Sequence, residues 1–190
     1  MAQLSEHDNV IALALHVDYW DYIGWKDVFA KPHFTARQKA YAKVAGRRSI
    51  YTPQMIVDGV DDVMGTHPMD VMALVQKHGE GVHPVSISLT READGSVLIR
   101  ARSEPPLDEP LMIQLVRYTP NETVEILRGE NAGRTVDYTN IVRDWSLLGE
   151  WDTQEPLELT ATPVAETDGP VAVIAQRKGP GRIEAAARID

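Results

Sequence analysis

The chain contains no cysteine among its 190 residues. Disulfide bonds, thiolate metal sites and cysteine nucleophiles are therefore excluded for this chain. The absence does not identify the cellular compartment, because both cytosolic and exported proteins can lack cysteine.

Basic residues and long apolar runs are also scarce. Lys plus Arg number 19 against 28 Asp plus Glu, a formal net charge of −9 with no basic stripe. This argues against binding to nucleic acid or to anionic lipid. The longest apolar run, residues 10–15, is far shorter than the roughly 20 residues that span a bilayer. The first eight residues lack the basic and apolar regions of a signal peptide.

The first half of the chain alternates between strand and helix patterns. A continuous apolar run predicts a buried strand over residues 10–17, and Pro32 opens a helix over residues 33–45. Short strands over residues 54–57 and 60–64 flank the turn Asp58-Gly59, and a second helix ends at Gly79. The predicted order is strand, helix, strand, strand, helix.

After Gly81 the hydrophobic pattern changes to period two, with Pro and Gly between the runs. This pattern predicts antiparallel strands that form a sandwich or a barrel-like module. The predicted strands cover residues 85–89, 97–102, 112–117, 123–127, 138–145, 157–161, 171–176 and 183–187.

Several motifs carry a resemblance to a known family. They are His-Val-Asp-Tyr-Trp-Asp-Tyr-Ile-Gly-Trp at 16–25, Phe-Thr-Ala-Arg-Gln at 34–38, Tyr-Thr-Pro-Gln-Met-Ile-Val-Asp-Gly at 51–59, Gly-Glu-Asn-Ala-Gly at 129–133 and Asn-Ile-Val-Arg-Asp-Trp at 140–145. Over essentially its whole length the chain resembles the bacterial thioredoxin-like family called domain of unknown function 1223. The fold class that this implies is α+β, with an incomplete thioredoxin-like domain over residues 1–82 and a β-rich module over residues 83–190.

The resemblance also implies what this chain lacks. Family members resemble periplasmic or secreted thiol–disulfide oxidoreductases with a Cys-x-x-Cys segment near the mature N-terminus, and that segment has no counterpart here. The missing first strand would lie in the centre of the sheet, between residues 10–17 and residues 54–57. We expect one of three outcomes: these flanking strands pair directly, another chain donates a strand, or the chain is only marginally stable.

Thr52-Pro53 is the strongest candidate binding element. By resemblance this X-Pro bond is expected to be cis, and the backbone of Thr52 would pair with an extended peptide as an added strand. The alternative is a rigid turn without a binding role.

Three polar residues, His16, Asp18 and Asp21, follow the first predicted strand, where ligand sites of open α/β sheets gather. They could bind a divalent metal or act as acid and base. The alternative, which we favour, is that His16 forms a hydrogen bond that fixes the loop. We expect no metal and no other cofactor.

Aromatic residues are concentrated in the same loop: Tyr19, Trp20, Tyr22, Trp25 and Phe29. They could form the wall of a substrate groove beside Pro53 or a hydrophobic plug that holds the loop on the sheet. We include Tyr19 and Trp20 in the candidate site. Its full set is Thr52, Pro53, His16, Asp18, Tyr19, Trp20 and Asp21.

Three functions are compatible with the sequence. In the first, the chain is part of a redox protein whose cysteine segment is missing. In the second it is a module that binds an extended peptide or protein, and in the third it is a metal-dependent enzyme. We expect no catalysis by this chain alone. Its expected partner is an extended polypeptide, or a second copy of the chain that completes the sheet.

Overall fold

The computed structural model describes residues 2–24, 26–128, 132–162 and 169–190. Trp25 of the aromatic cluster and residues 129–131 of the fourth motif lie outside them. The helices are α1 (Ala2–Ser5), α2 (Pro32–Val44) and α3 (Pro68–Gly79), with a 3-10 turn at Asp21–Ile23. The strands are β1 (Gln54–Val57), β2 (Asp61–Met64), β3 (Val85–Arg91), β4 (Val97–Ser103), β5 (Leu111–Glu125), β6 (Thr135–Trp151), β7 (Leu157–Ala161), β8 (Val171–Arg177) and β9 (Ile183–Ile189).

Two antiparallel sheets form most of the second half. One has the strand order β3-β4-β7 and the other β6-β5-β8-β9. Residues of both sheets share one buried cluster that includes Val97, Ile99, Leu111, Ile113 and Val173. The expected α+β class is therefore confirmed, and the two antiparallel sheets pack against each other as a sandwich.

The four-stranded sheet is buried on both faces. In β8, Val171, Val173 and Ala175 pack in the sandwich, while Ala172 and Ile174 pack in a second cluster with Phe34 of α2. Alternating side chains of a strand point to opposite faces, so an almost uninterrupted buried run is the expected sequence of such a strand. Helix α2 thus covers the outer face of the sheet.

The hairpin of β1 and β2 is anchored through its turn. Asp58 and Gly59 have positive φ angles of 48° and 72°. The amide of Ile183 donates a hydrogen bond of 2.7 Å to the carbonyl of Asp58. At Gly59, a Cβ would lie 2.4 Å from the carbonyl oxygen of Gly181, so this close contact requires glycine.

The prediction of a regular strand over residues 10–17 is wrong. One parallel bridge joins Ala14 to Ile141 of β6: the Ala14 amide donates to the Asn140 carbonyl at 2.8 Å, and the Val142 amide donates to the Ala14 carbonyl at 2.9 Å. The physical reason is that no further strand pairs with this segment in the described residues. We call residues 10–17 the edge segment.

The prediction that the edge segment pairs directly with residues 54–57 is also wrong. The described pairing of β1 is with β2 alone, from Gln54 opposite Met64 to Val57 opposite Asp61. Donation of a strand by another chain and marginal stability stay predictions. So does the division into two units after residue 82, a boundary that the contacts of Phe34 and Ala14 cross.

Candidate functional site

A cavity of about 1390 Å³ lies between the edge segment and β1. Every residue of the edge segment and of β1 lines it, and Arg37, Gln38 and Tyr41 of α2 contribute another wall. Its volume exceeds the roughly 300–1,000 Å³ of most small-molecule pockets. We call this cavity the groove.

The edge segment presents unpaired backbone groups. Its described hydrogen bonds are made by residues of even number: Val10, Ala12, Ala14 and His16. This spacing of two is that of an extended chain, in which successive residues direct their N–H and C=O groups to opposite edges. Residues 11, 13, 15 and 17 make no backbone hydrogen bond in the described part of the chain, so their groups face away from β6.

Strand β1 presents a second free edge. The Gly65 amide donates to the Pro53 carbonyl at 2.9 Å, which directs residues 53, 55 and 57 towards β2. The backbone groups of Gln54 and Ile56 therefore point to the opposite edge, where no described residue bonds to them. Two free sheet edges consequently line the same groove.

Thr52, Pro53 and Trp20 lie at one end of the groove. The Thr52-Pro53 peptide bond is cis. The Trp20 indole Nε1 donates to Thr52 Oγ1 at 2.9 Å, and the indole stacks with Tyr22 at a centroid distance of 6.5 Å. Trp20 is 46% exposed and Tyr22 80% exposed, so this end has an accessible aromatic surface. We call it the mouth of the groove.

His16 is held by contacts within the protein. Its Nδ1 lies 2.5 Å from Asp27 Oδ2, and its ring meets Phe29 and Tyr138 edge to face at 5.4 Å and 4.8 Å. Burial, together with the charge of Asp27, raises the pKa of Tyr138. His16 therefore fixes the loop by a hydrogen bond, and Phe29, 6% exposed, packs as a plug.

The three residues considered as metal ligands have separate partners. Asp18 Oδ1 accepts a hydrogen bond of 2.6 Å from Thr35 Oγ1, and Asp21 Oδ1 accepts one of 3.2 Å from the Asp27 amide. Among the described residues, no group of three or more His, Asp or Glu could hold a metal ion.

The structure brings most of the candidate residues to the groove. Five of them line it, and they are His16, Trp20, Asp21, Thr52 and Pro53. The other two lie beside it. Asp18 connects the loop to α2 through Thr35, and Tyr19 packs against Trp20 with its buried hydroxyl unpaired in the described structure.

Sequence reasoning missed Arg37 as a residue of the groove. Its guanidinium donates to Gln176 Oε1 at 2.8 Å and to the Tyr41 hydroxyl at 3.2 Å, and it lies 4.0 Å from the centroid of the Trp145 ring. Burial lowers the pKa of Arg37. The sequence gives no local signal for this role beyond the place of Arg37 next to Gln38 in the motif of residues 34–38.

Gln38 connects α2 to the mouth of the groove. Its Nε2 donates to the Tyr51 carbonyl at 2.8 Å and to Gln54 Oε1 at 2.9 Å. Its Oε1 is buried and has no hydrogen-bond partner in the described structure. An unpaired buried acceptor is costly, so this atom is suited to a donor from a bound group.

None of the described helices is long and apolar enough to cross a membrane.

A family model described as "Protein of unknown function (DUF1223)" matches residues 1–176. No curated protein matches the chain. The chain is similar to the X-ray crystal structure of protein AGR_C_4864 from Agrobacterium tumefaciens, with 27% identity and a TM-score of 0.81. The match covers 99% of this chain and 83% of that chain.

Proposed function

The chain belongs to the DUF1223 family, and we propose that this member binds an extended polypeptide segment in the groove, as a strand between the edge segment and β1. One observation carries the proposal: the free backbone groups of residues 11, 13, 15 and 17 and those of Gln54 and Ile56 line the same cavity. Strand addition of this kind derives affinity from main-chain hydrogen bonds and specificity from alternate side chains.

The dimensions of the two walls set the length of the bound segment. The edge segment has eight residues and β1 has four. At about 3.3 Å per residue they extend roughly 26 Å and 13 Å. A strand of about five to eight residues therefore pairs along the edge segment and, over part of its length, along β1.

The direction of the walls follows from the mouth. The Trp20–Thr52 hydrogen bond joins the chain just after the edge segment to the chain just before β1. The two walls thus run in opposite directions. A strand between them pairs in parallel with one wall and antiparallel with the other.

The chemistry of the walls favours an apolar segment. Ile11, Leu13 and Leu15 pack against the buried cluster of Phe34 and Ile174. Met55 and Ile56 contribute further apolar side chains from β1. A segment with β-branched apolar residues at alternate positions matches these walls and favours the strand conformation.

Hydrogen exchange followed by NMR tests the proposal. The probe is a capped heptapeptide of alternating valine and threonine. We expect it to slow exchange at the amides of Leu13, Leu15 and Ile56. The Ala14 amide is the internal control, because it already donates to Asn140. Protection confined to the three-stranded sheet, or to no site while the peptide is in large excess, would contradict the proposal.

A second candidate is thiol–disulfide exchange by a longer, thioredoxin-like, exported form of this protein. A strand of the same polypeptide would fill the groove and carry the cysteine pair that the family resemblance implies. The favouring observation is that the similar Agrobacterium chain extends beyond the match, which covers 83% of it. This chain alone has no thiolate to attack a disulfide.

Expression from the in-frame DNA upstream of the Met1 codon tests this second candidate. If the longer product contains a cysteine pair and reduces glutathione disulfide, the candidate is supported. The matched control replaces both cysteines by serine. A longer product without cysteine, or one as inactive as its serine variant, would eliminate it.

A further inference from the structure

We infer that the segment bound in the groove carries an acidic side chain that pairs with Arg37, an inference that rests on the proposed function. The partner class is therefore an extended, mainly apolar polypeptide with one Asp or Glu.

Arg37 has no ion-pair partner among the described residues. Its hydrogen bonds go to neutral oxygens, those of Gln176, Gln114 and Tyr41. This occurs in a chain whose acidic residues outnumber its basic ones, 28 to 19. A largely buried cation without an anion is unfavourable, and of the five guanidinium N–H groups the three described bonds leave two that can donate to a carboxylate.

The acidic residues that line the groove already have partners. Asp21 accepts a hydrogen bond of 3.2 Å from the Asp27 amide, and Asp27 contacts His16 through its carboxylate. Asp58 Oδ2 lies 3.5 Å from His78 Nδ1, and Glu184 accepts a hydrogen bond of 2.6 Å from Arg177. None of these carboxylates pairs with Arg37. Arg128 and Arg134 also line the groove without a described ion pair, but both are exposed to solvent. The unmatched charge of the largely buried Arg37 therefore distinguishes one position along the groove.

The position of the guanidinium is fixed in advance. Gln176 is 2% exposed, and its Oε1 accepts from both Arg37 and Gln114 Nε2 while its Nε2 donates to Tyr41. The guanidinium also lies 4.0 Å from the centroid of the Trp145 ring, a contact that further restricts its movement. A preorganised cation loses little conformational entropy when it binds a carboxylate.

Gln38 supplies an independent indication of a bound group. Its buried Oε1 accepts no described hydrogen bond, and it belongs to the residue that follows Arg37. Arg37 therefore offers donors and Gln38 offers an acceptor to the same groove. An acidic residue within a strand provides the complement, since its side chain accepts and its backbone N–H donates.

The test uses two matched series of capped heptapeptides of valine and threonine. Each series has a single substitution at positions two to six in turn, glutamate in one series and glutamine in the other. Binding is measured by fluorescence titration. We expect the best glutamate peptide to bind the unmodified protein about tenfold more tightly than its glutamine counterpart, as for a hydrogen bond to a charged group.

Variants of the protein assign that difference to Arg37. The R37Q variant should remove the preference for glutamate, and R37K should retain part of it. The matched control is R47Q: Arg47 pairs with Asp62 at 2.7 Å and does not line the groove. This variant should retain the full preference. Because the peptide comparison is made on the unmodified protein, the inference is testable even if R37Q does not fold.

The outcomes separate the inference from the proposed function. Equal binding of the glutamate and glutamine series would overturn the inference and leave strand binding supported. If no peptide binds but dodecanoate binds in an Arg37-dependent way, the groove binds a small amphiphilic anion. That result would overturn both the inference and the proposed function. Concentration-dependent dimerisation without peptide, abolished by R37Q, would identify a second copy as the occupant and overturn the inference.

Discussion

The indole nitrogen of Trp20 donates a hydrogen bond of 2.9 Å to the hydroxyl of Thr52 across the mouth of the groove. The two residues are 32 positions apart in the sequence, and both are accessible to solvent. An exposed hydrogen bond of this kind contributes little to global stability, because water replaces either partner. Its effect is local: it fixes the indole over one end of the groove.

The variant T52V should therefore separate binding from stability. We expect its free energy of unfolding to fall by less than about 1 kcal/mol, because the bond is exposed. Affinity for a valine-threonine heptapeptide should fall severalfold, because the indole is no longer held. Urea denaturation and fluorescence titration measure the two quantities. The control is T66V, since Thr66 is exposed and makes no described side-chain hydrogen bond. Equal peptide affinities of T52V and T66V would contradict the role of this bond.

The variant G59A should destabilise the chain far more than G46A. Both glycines have positive φ angles, 72° and 68°. At Gly59 an added Cβ would meet the Gly181 carbonyl, whereas at Gly46 it would meet nothing within 4 Å. We expect a loss of roughly 1 kcal/mol for G46A from backbone strain alone, and roughly 3 kcal/mol for G59A from strain and overlap together. Urea denaturation of both variants measures these losses. Similar losses for G59A and G46A would show that Gly59 is not in close contact with Gly181.

The sequence predicts most strands of the second half well, because a strand buried on one face alternates with period two and β8, which is buried on both faces, is a continuous apolar run. For β7 the predicted bounds, residues 157–161, are those of the structure. The prediction of two separate strands over residues 112–117 and 123–127 is wrong, since the single strand β5 covers the first range and continues into the second, where it ends at Glu125. Pro120 interrupts the hydrophobic pattern, but β5 continues through it, with Thr119 opposite Ile141 and Asn121 opposite Thr139.

The edge segment and Arg37 show where local pattern is insufficient. The apolar run of residues 10–17 indicates an extended chain, but a strand also needs partners, and those depend on the whole sheet. Predicting that Arg37 belongs to the groove required knowing that Gln114, Trp145 and Gln176 lie beneath α2. These residues are more than 70 positions away from Arg37, so no local pattern relates them to it.

The carboxyl group of Asp61 should make the free energy of unfolding depend on pH in the acid range. Hydrogen bonds from Lys77 and then His78 lower the pKa of this carboxyl below 3.8. Because the pKa of Asp61 is lower in the folded state than in the unfolded state, its ionised carboxylate stabilises the fold. This stabilisation is fully present above the pKa of the unfolded state, about 4, and is lost as the pH falls through the pKa of the folded state. Asp61 is one-third exposed, so solvent screening keeps the effect small.

The variant D61N tests this dependence. Between pH 5 and pH 3 the urea midpoint of the unmodified protein should fall more than that of D61N, which has no carboxyl to protonate at this position. The control is D8N, since Asp8 is exposed and makes no described hydrogen bond or ion pair. It should respond to acid as the unmodified protein does. Identical midpoint changes in D61N and D8N would show that the Lys77 and His78 contacts do not stabilise the folded state.

Asn140 should control the edge segment through one buried side chain. It is 6% exposed, its Nδ2 donates to the Ala12 carbonyl at 2.8 Å, and its own carbonyl accepts from the Ala14 amide. We expect N140A to cost roughly 2–3 kcal/mol, from the lost hydrogen bond and from alanine at a positive φ. N140G should cost less, because glycine tolerates that φ.

The effect of N140A on binding follows from the same contact. Without the Asn140 side chain, the described hydrogen bonds between the edge segment and β6 are reduced to those of the bridge at Ala14, so hydrogen exchange at the Ala14 amide should accelerate. A heptapeptide that pairs with this wall should bind severalfold more weakly, because the wall must first be ordered. The control is N121A: Asn121 lies in β5 opposite Thr139 and is exposed. A variant N140A that loses stability yet retains Ala14 protection and full peptide affinity would show that the edge segment is not a wall of the binding groove.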